Sequence, residues 1–534
     1  MSKAWRWTIA CAAVTTLALP FAGAAPASSR TASVARYIVV LKQDNSQRAG
    51  IAAVAKAGGR VISVNKIGIA TALASTPTFA KTLRASGAVA AVAPDASFGV
   101  AHGLTLKGST LPRKLARANL FSTTTEATTC ATLFGVSSAP APDPLASCQW
   151  DMRAIHANPG SYSVTKGHGA RIGDIDTGID LTNTEFNGNL DLATSCSFIY
   201  STTPTSNPAE RVTRGDCSNK NAVQDLAGHG THTAGIIAAR IDGHGTSGVA
   251  PEATIVALKA GTEQGFFFTD SVVDSLIYAG DHQLDAVNMS FFADPWLFNC
   301  RNDADQRAIV QAISRAARYA QQRGVVLVAA AGNDGIDLNH PVTDEISPDY
   351  PPGAAVERPV NNGCVVMPTE IAGVVVVSAT GAQNLLSWYS TYGNIVDVAA
   401  PGGSRYQTPT FDGARGRVLA PYSSTASDLA QEDALGRLVQ DPVTHSYYAW
   451  LNGTSMAAPH VAGVVALIRA QHPDWSVGKV VATLRTTADP LACPTELDPG
   501  VAFFDAPAQV CSGGTASNNF YGSGLVNALA AASR

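Results

Sequence analysis

The chain has 534 residues, 46% of them hydrophobic and 15% charged, with a formal net charge of -4. That length and apolar content can bury one large core and a smaller second one, which excludes a disordered chain. So small a charge over so many residues leaves no electrostatic footprint for nucleic acid or an anionic membrane surface, and neither is expected as a partner.

In chain order, Met1 to Arg6 is cationic, Trp7 to Leu19 is apolar, and Ala22-Gly23-Ala24 offers an A-x-A cleavage signal. Residues 1–24 are therefore expected to be a secretory signal peptide, and the protein to be secreted. The apolar run is shorter than the roughly 20 residues that cross a bilayer, so no membrane anchor is expected. Removing Cys11 with the signal leaves eight cysteines, an even set suited to disulfides in an oxidising compartment. None lies in a C-x-x-C pair, so zinc is disfavoured; pairing between neighbours, such as Cys196 with Cys217, is expected.

Residues 37–97 read as a small α/β unit. Strands fall at Tyr37 to Lys42, Arg60 to Asn65, Ile67 to Leu73 and Ala88 to Ala93, with helices at Gln47 to Ala57 and Pro77 to Ala85. This βαββαβ order is the ferredoxin-like pattern. From Phe98 to Pro144 periodicity fades among Ser, Thr, Ala and Pro, with Lys107, Arg113, Lys114 and Arg117 clustered together. Residues 98–147 are therefore expected to be a linker that carries a maturation cut.

Residues 148–534 alternate short apolar runs with helical patterns. Strands are expected at Arg171 to Ile175, Thr254 to Leu258, Ala286 to Phe291, Val325 to Ala330 and Val374 to Ser378. Helices fall at Gly230 to Arg240, Ser271 to His282 and Asp305 to Arg323. Strands apolar on both faces, joined by helical crossovers, imply a mostly parallel sheet flanked by helices in an α/β domain. Cys196 to Cys217 and Gly403 to Trp450 show no clear pattern and read as surface insertions.

Three segments carry chemistry. In Asn452-Gly-Thr-Ser455-Met-Ala-Ala-Pro459 a Gly-containing turn delivers a serine to the start of an apolar helix, where unpaired N–H groups can help bind an oxyanion. A serine there could equally be a helix cap. Gly228-His229-Gly-Thr-His232 sets one histidine in a Gly-flanked turn, suited to act as a base, and a second on a different face, where it is structural. Arg171-Ile-Gly-Asp174-Ile-Asp176-Thr-Gly178 is a strand ending in an acidic turn; Asp176, at the strand end, can reach an imidazole, while Asp174 is structural. Gly332-Asn333 follows a buried strand, and the Asn333 amide is either a turn former or a second oxyanion donor.

Asp176-Thr-Gly, His229-Gly-Thr-His and Gly453-Thr-Ser455-Met-Ala-Ala-Pro, in that order, resemble the subtilisin-like serine proteases, the subtilase family. Chymotrypsin-like enzymes and α/β-hydrolases use other orders. The resemblance implies a serine endopeptidase: Asp176, His229 and Ser455 as triad, Asn333 with the Ser455 N–H as oxyanion hole, no catalytic cofactor, and protein or peptide substrates. It also implies that residues 37–97 are an inhibitory propeptide acting on their own chain, and that the enzyme is a monomer. Ser290, Phe291, Phe292 and Gly332 are expected to bind substrate, the first three as an edge strand. The family's common glycine is replaced here by Phe292, followed by Ala293-Asp-Pro-Trp296, a departure that narrows the pocket for the residue before the cut. Calcium is implied too, with Glu185, Asp242 and loop carbonyls as ligands in the Arg240 to Thr246 loop.

Two rivals are weaker. A metal hydrolase built on His229 and His232 lacks H-E-x-x-H and a third ligand. A non-catalytic binding protein on a subtilase scaffold is the alternative that an inactive geometry would favour. The sequons at Asn452 and Asn288 fall in the active-site segments and read as coincidences.

Overall fold

A computed structural model describes residues 34–42, 47–95, 121–136, 143–199, 217–407, 409 and 414–534. The expected signal peptide and the basic cluster at 107–117 lie outside the described residues. Among those described, no helix is long and apolar enough to cross a membrane.

The N-terminal unit runs β1 (Ala35–Leu41), α1 (Gln47–Lys56), β2 (Gly59–Val64), β3 (Ile69–Ala74), α2 (Phe79–Arg84) and β4 (Val89–Pro94). Its strands form an antiparallel sheet in the order β2-β3-β1-β4. Alternate residues of β1 split between two cores. Val39 and Leu41 pack with Phe79 and Leu83 inside the unit. Ile38 and Val40 face the main body and join Val272, Ile309 and Ile313, as the period of two along a strand requires.

The main body is a seven-stranded parallel sheet. Its elements are β6 (Arg171–Asp176), β7 (Cys196–Ser197), α4 (His229–Ala238), β8 (Thr254–Lys259), α5 (Thr269–Asp281), β9 (Ala286–Met289), α6 (Ala304–Gln321), β10 (Val326–Ala330), β11 (Val375–Thr380), β12 (Val398–Pro401) and the later helix Thr454–Gln471. The strand order is β12-β11-β10-β9-β6-β8-β7. Strands β6, β9 and β10 are almost wholly buried, as a parallel sheet covered on both faces requires. Helix Thr454–Gln471 is apolar on every face, and each residue from Met456 to Arg469 is buried against the sheet.

A buried charge cluster joins the two units. Arg36 Nε lies 2.7 Å from Asp95 Oδ2, and its Nη1 lies 3.2 Å from Asp270 Oδ2. Asp95 Oδ1 accepts the Asp270 N–H at 3.1 Å, in the first turn of α5. All three residues are 2% exposed or less. Burial and the facing Asp270 charge push Asp95 up to about 8 in spite of Arg36. Arg315, on α6, donates to the carbonyls of Leu41 and Ile67 and ties β1 and the turn before β3 to the body.

Two expectations need correction. The end of the 98–147 stretch, read as linker, is part of the body: β5 (Phe121–Ser122) leads into α3 (Thr123–Phe134), capped by Ser122 and disulfide-bonded through Cys130 to Cys148. Six threonines depress its helical signal, so the disulfide and tertiary packing hold a segment that propensity does not favour. Gly403 to Trp450, read as a patternless surface insertion, contains strands Val418–Tyr422, Leu438–Gln440 and Tyr447–Leu451, in one sheet with β5. Tyr448 and Trp450 are among the largest fully buried side chains. Strands of three to five residues are too short to show a clear period, and the buried Glu126 breaks the apolar pattern by accepting from Trp450 Nε1 (3.2 Å) and pairing with Arg415 (2.8 Å). The disulfides join sequence neighbours: Cys130–Cys148, Cys196–Cys217, Cys300–Cys364 and Cys493–Cys511.

Candidate active site

Asp176 ends β6, Ser290 follows β9 and Gly332-Asn333 follows β10, so the C-terminal edge of three adjacent parallel strands supplies most of the site. Asp176 is fully buried, and its Oδ1 accepts the Thr177 N–H at 2.7 Å and lies 2.7 Å from His229 Nδ1. His229 opens α4. No side chain fits at Gly230, where a Cβ would stand 2.2 Å from the Gly178 carbonyl, so glycine lets the histidine turn press onto the aspartate turn.

Asp225 braces that turn, a role that nothing in the sequence signalled. Its Oδ2 accepts the N–H and hydroxyl of Thr231, and its Oδ1 accepts the N–H groups of Ala227 and Gly228 and the Thr177 hydroxyl. Burial pushes the His229 imidazole down, but the Asp176 charge and hydrogen bond outweigh it, with Asp174 and Asp225 adding, and lift it to about 9. His232 goes the other way: fully buried, with Nε2 3.0 Å from the Ala449 carbonyl, it is pushed down to about 3. It is a neutral, structural histidine, as its place on the helix implies.

Ser455 is the second residue of its helix. Pro459, four residues on, has no N–H to give the Ser455 carbonyl. That carbonyl instead accepts the Ser290 hydroxyl at 2.9 Å, while the Ser455 hydroxyl donates to the Ser290 carbonyl at 3.1 Å. The pair locks the serine turn to the end of β9. Behind it, Asn288 Nδ2 donates to Asp174 Oδ1 (2.9 Å) and to Ser290 Oγ (3.1 Å), and Thr233 donates to Asp174 Oδ2 (2.8 Å). Asp174 and Asn288 are thus a buried support, as structural as expected for Asp174. Burial and the nearby Asp176 charge raise the Asp174 carboxyl well above its usual range.

Asn333 has its carbonyl spoken for: Oδ1 accepts the Thr454 N–H (2.8 Å) and hydroxyl (2.9 Å), which leaves the NH2 group for the cleft. Thr454 also accepts the Gly332 N–H (3.1 Å), and Gly332 holds a φ of +117° that favours glycine. A cleft of about 630 Å³ brings together His229, Ser455, Asn333, Gly332, Ser290, Phe291 and Phe292. Phe291 stacks on Phe267 at 4.2 Å, while Phe292 lines the cleft and packs toward Leu297 and Val366.

The proposed calcium ligands do not converge. Glu185 is buried, its Oε1 bonded by the Tyr448 hydroxyl (2.5 Å) and the Thr246 N–H (3.3 Å); its Oε2 alone is unpartnered. Asp242 is exposed and accepts the His244 N–H of its own loop (3.0 Å), and the Gly245 carbonyl is taken by the Leu145 N–H (2.9 Å). The buried Asp143 carboxylate accepts the Asp242 and Gly243 N–H groups. Among the described residues, no group of three metal-ligating side chains includes Glu185 or Asp242. A calcium cage needs six to eight oxygens. Here Tyr448 stands beside Glu185, in the very insertion that the sequence left unread, and burial raises both groups well above their usual ranges. The residues present therefore do not fit the ion. Tyr448→Phe should lower the unfolding free energy by about 1–3 kcal/mol, the cost of stripping a buried carboxyl of its partner. Urea denaturation with and without a chelator measures this, and wild-type stability should not depend on the chelator.

Residues 167–524 match the subtilase family profile. Subtilisin Savinase of Lederbergia lenta is 28% identical over 385 residues, covering 72% of this chain and 98% of that protein. Minor extracellular protease Epr of Bacillus subtilis is 30% identical over 256 residues, 48% of this chain and 28% of that protein. Among solved structures, the epidermin leader peptide processing serine protease of Staphylococcus aureus superposes with a TM-score of 0.62 at 20% identity, over 94% of this chain and 98% of that one. Fervidolysin of Fervidobacterium pennivorans gives 0.57 at 20% identity, over 94% and 61%. Those two likenesses establish the fold, and the profile together with the subtilisin relatives establishes the activity: this chain belongs to the subtilase family of serine endopeptidases.

Proposed function

We propose that the protein is a secreted endopeptidase, made as a propeptide-inhibited precursor, that cuts protein chains through an acyl-enzyme on Ser455. The observation that carries this reading is the 2.7 Å contact from the buried Asp176 carboxylate to His229 Nδ1, in the cleft that Ser455 also lines. Asp176 fixes the tautomer that leaves Nε2 as the base and steadies the imidazolium that forms. Ser455 turns from the Ser290 carbonyl to give its proton to His229 as its oxygen attacks the scissile carbonyl. The Ser455 N–H and the Asn333 NH2 hold the oxyanion. His229 returns the proton to the leaving amine, and water then repeats the sequence on the acyl-enzyme.

Inhibition by residues 37–97 is supported by the burial of Arg36 and Asp95 against Asp270 and by Arg315 reaching β1 and the turn before β3. Secretion is supported by the cationic-apolar start, by four disulfides, and by the extracellular relative. A monomer, and catalysis without a cofactor, go with this reading.

Ser455→Ala should abolish casein hydrolysis and leave the precursor uncut, as read by activity and by mass of the secreted chain. Asn333→Ala should lower kcat by about 10²–10³ with little change in KM, since its donor acts on the transition state. Full activity in either variant would overturn its role.

The base must be neutral to act. Because Asp176 raises the His229 pKa, the neutral fraction grows as pH rises and activity is lost as pH falls. His229 keeps 31% of its side chain open to solvent, which screens the charge of Asp176, so the acid limb of kcat/KM should lie between the usual 6.5 and about 9. A limb below 6.5 in a pH profile would contradict this coupling.

A further inference from the structure

The cleft beside Ser455 is strikingly one-sided in charge. Among the described residues, Glu263, Asp294, Asp334, Asp349 and Asp428 line it and no lysine or arginine does. The whole chain carries only -4, so this acidity is local. Not all five are equally available: Asp428 accepts the Tyr422 hydroxyl at 2.7 Å.

Asp294 and Asp349 form the centre of the acidic wall. Asp294 is 3% exposed, accepts the Phe267 N–H, and shares a hydrogen bond with Asp349. Burial, together with the hydrogen bond and charge of Asp349, keeps the Asp294 carboxyl well above the usual carboxylate range. Asp349 is set in place by its own N–H, which donates to the Pro295 carbonyl (3.2 Å), and by Tyr350, whose ring packs edge-on against Phe266 and Phe268. Its Oδ1 is nonetheless buried with no hydrogen-bond partner. A buried carboxylate oxygen without a donor is costly, and this one lies in a wall that a substrate enters.

The rest of the wall suits the same guest. Phe292, Leu297, Ala330 and Val366 line the cleft with apolar surface. A long side chain with a methylene stem and a charged head would bury its stem on them and bring its head to the carboxyls. Arriving there, a guanidinium or ammonium supplies the donor that Asp349 Oδ1 lacks.

We propose that the cleft selects substrates with a lysine or arginine side chain on the acyl side of the scissile bond, recognised by Asp349 and Asp294 with Asp334 adding to the field. This rests on the proposed acyl-enzyme chemistry at Ser455 and names its substrate class. Phe292, where the family has glycine, then forms an apolar wall for the stem.

The test uses the mature wild-type enzyme and matched peptides that carry arginine, norleucine or glutamate at each of the four positions before the cut. Arginine at one position should exceed norleucine in kcat/KM by about ten-fold or more, as for a hydrogen bond to a charged group, and glutamate should be the poorest there. Asp349→Asn should cut the arginine-to-norleucine ratio by about ten-fold, and the Asp334→Asn variant by less. If Asp349→Asn does not fold, competitive inhibition of the wild type by benzamidine, against benzyl alcohol as its uncharged counterpart, reads the same site. Norleucine equal to or better than arginine at all four positions would overturn the proposal, as would an unchanged ratio in Asp349→Asn or equal inhibition by the two probes. Titration with a serine-directed reagent in parallel separates the two readings: a titratable serine without cationic preference sinks only this inference, and no titratable serine sinks the acyl-enzyme itself.

Discussion

The proposed catalytic centre hangs on one buried carboxylate at the end of a parallel strand. Asp176 sits where β6 stops, fully enclosed, with one oxygen on the Thr177 N–H and on His229. A charge so buried is tolerable only when it is paired, and the imidazole is its partner. The consequence runs both ways. The carboxylate orients the ring and raises its basicity, and the ring N–H gives the buried oxygen a donor. Around this pair Asp225 fixes the histidine turn, while Asp174 and Asn288 fix the strand end at Ser290.

The proposed nucleophile, Ser455, is placed by a different device. Pro459 leaves the Ser455 carbonyl without its usual helical donor, and Ser290 takes the vacancy. Asn333 meanwhile spends its carbonyl on Thr454 and turns its NH2 toward the cleft. Helix and sheet thus meet through side-chain to backbone bonds at the place where the oxyanion would form. The field in the cleft comes from other elements again, chiefly the Asp294–Pro295 and Asp349–Tyr350 loops, which lie outside the parallel scaffold. The scaffold sets the reaction and the loops set the guest, a division that parallel α/β folds permit because loops can change without disturbing the sheet.

How much of this the sequence disclosed follows from the length of the signal. The strands that became β8, β10 and β11 are largely apolar runs, while β6 and β9 set Asp174, Asp176 and Asn288 among apolar neighbours; all are legible within a residue or two, the strand at Ala286 being two residues shorter than its apolar pattern because the chain leaves the ladder after Met289. Asp176, His229 and Ser455, the proposed triad, stand out in the sequence because each lies in a turn with glycine and small polar neighbours. Asp225 does not, since a lone aspartate before a loop looks like any turn former. The segment from Phe121 to Cys148 and the strands around Tyr448 were misread for a common reason: they are short, Thr-rich or interrupted by a buried Glu126, and their stability comes from partners far away in sequence. The same gap hid the partner of Glu185, because Tyr448 lies in the unread insertion.

The central claim is that Asp176 and His229 activate Ser455 and no other hydroxyl. Labelling the mature protein with an irreversible phosphonate and mapping the adduct by peptide mass spectrometry tests it directly. The account predicts one adduct per chain, on the peptide bearing Ser455, and its loss in His229→Ala with the fold intact by circular dichroism. Labelling of a different serine, or equal labelling of Ser455 without His229, would contradict it.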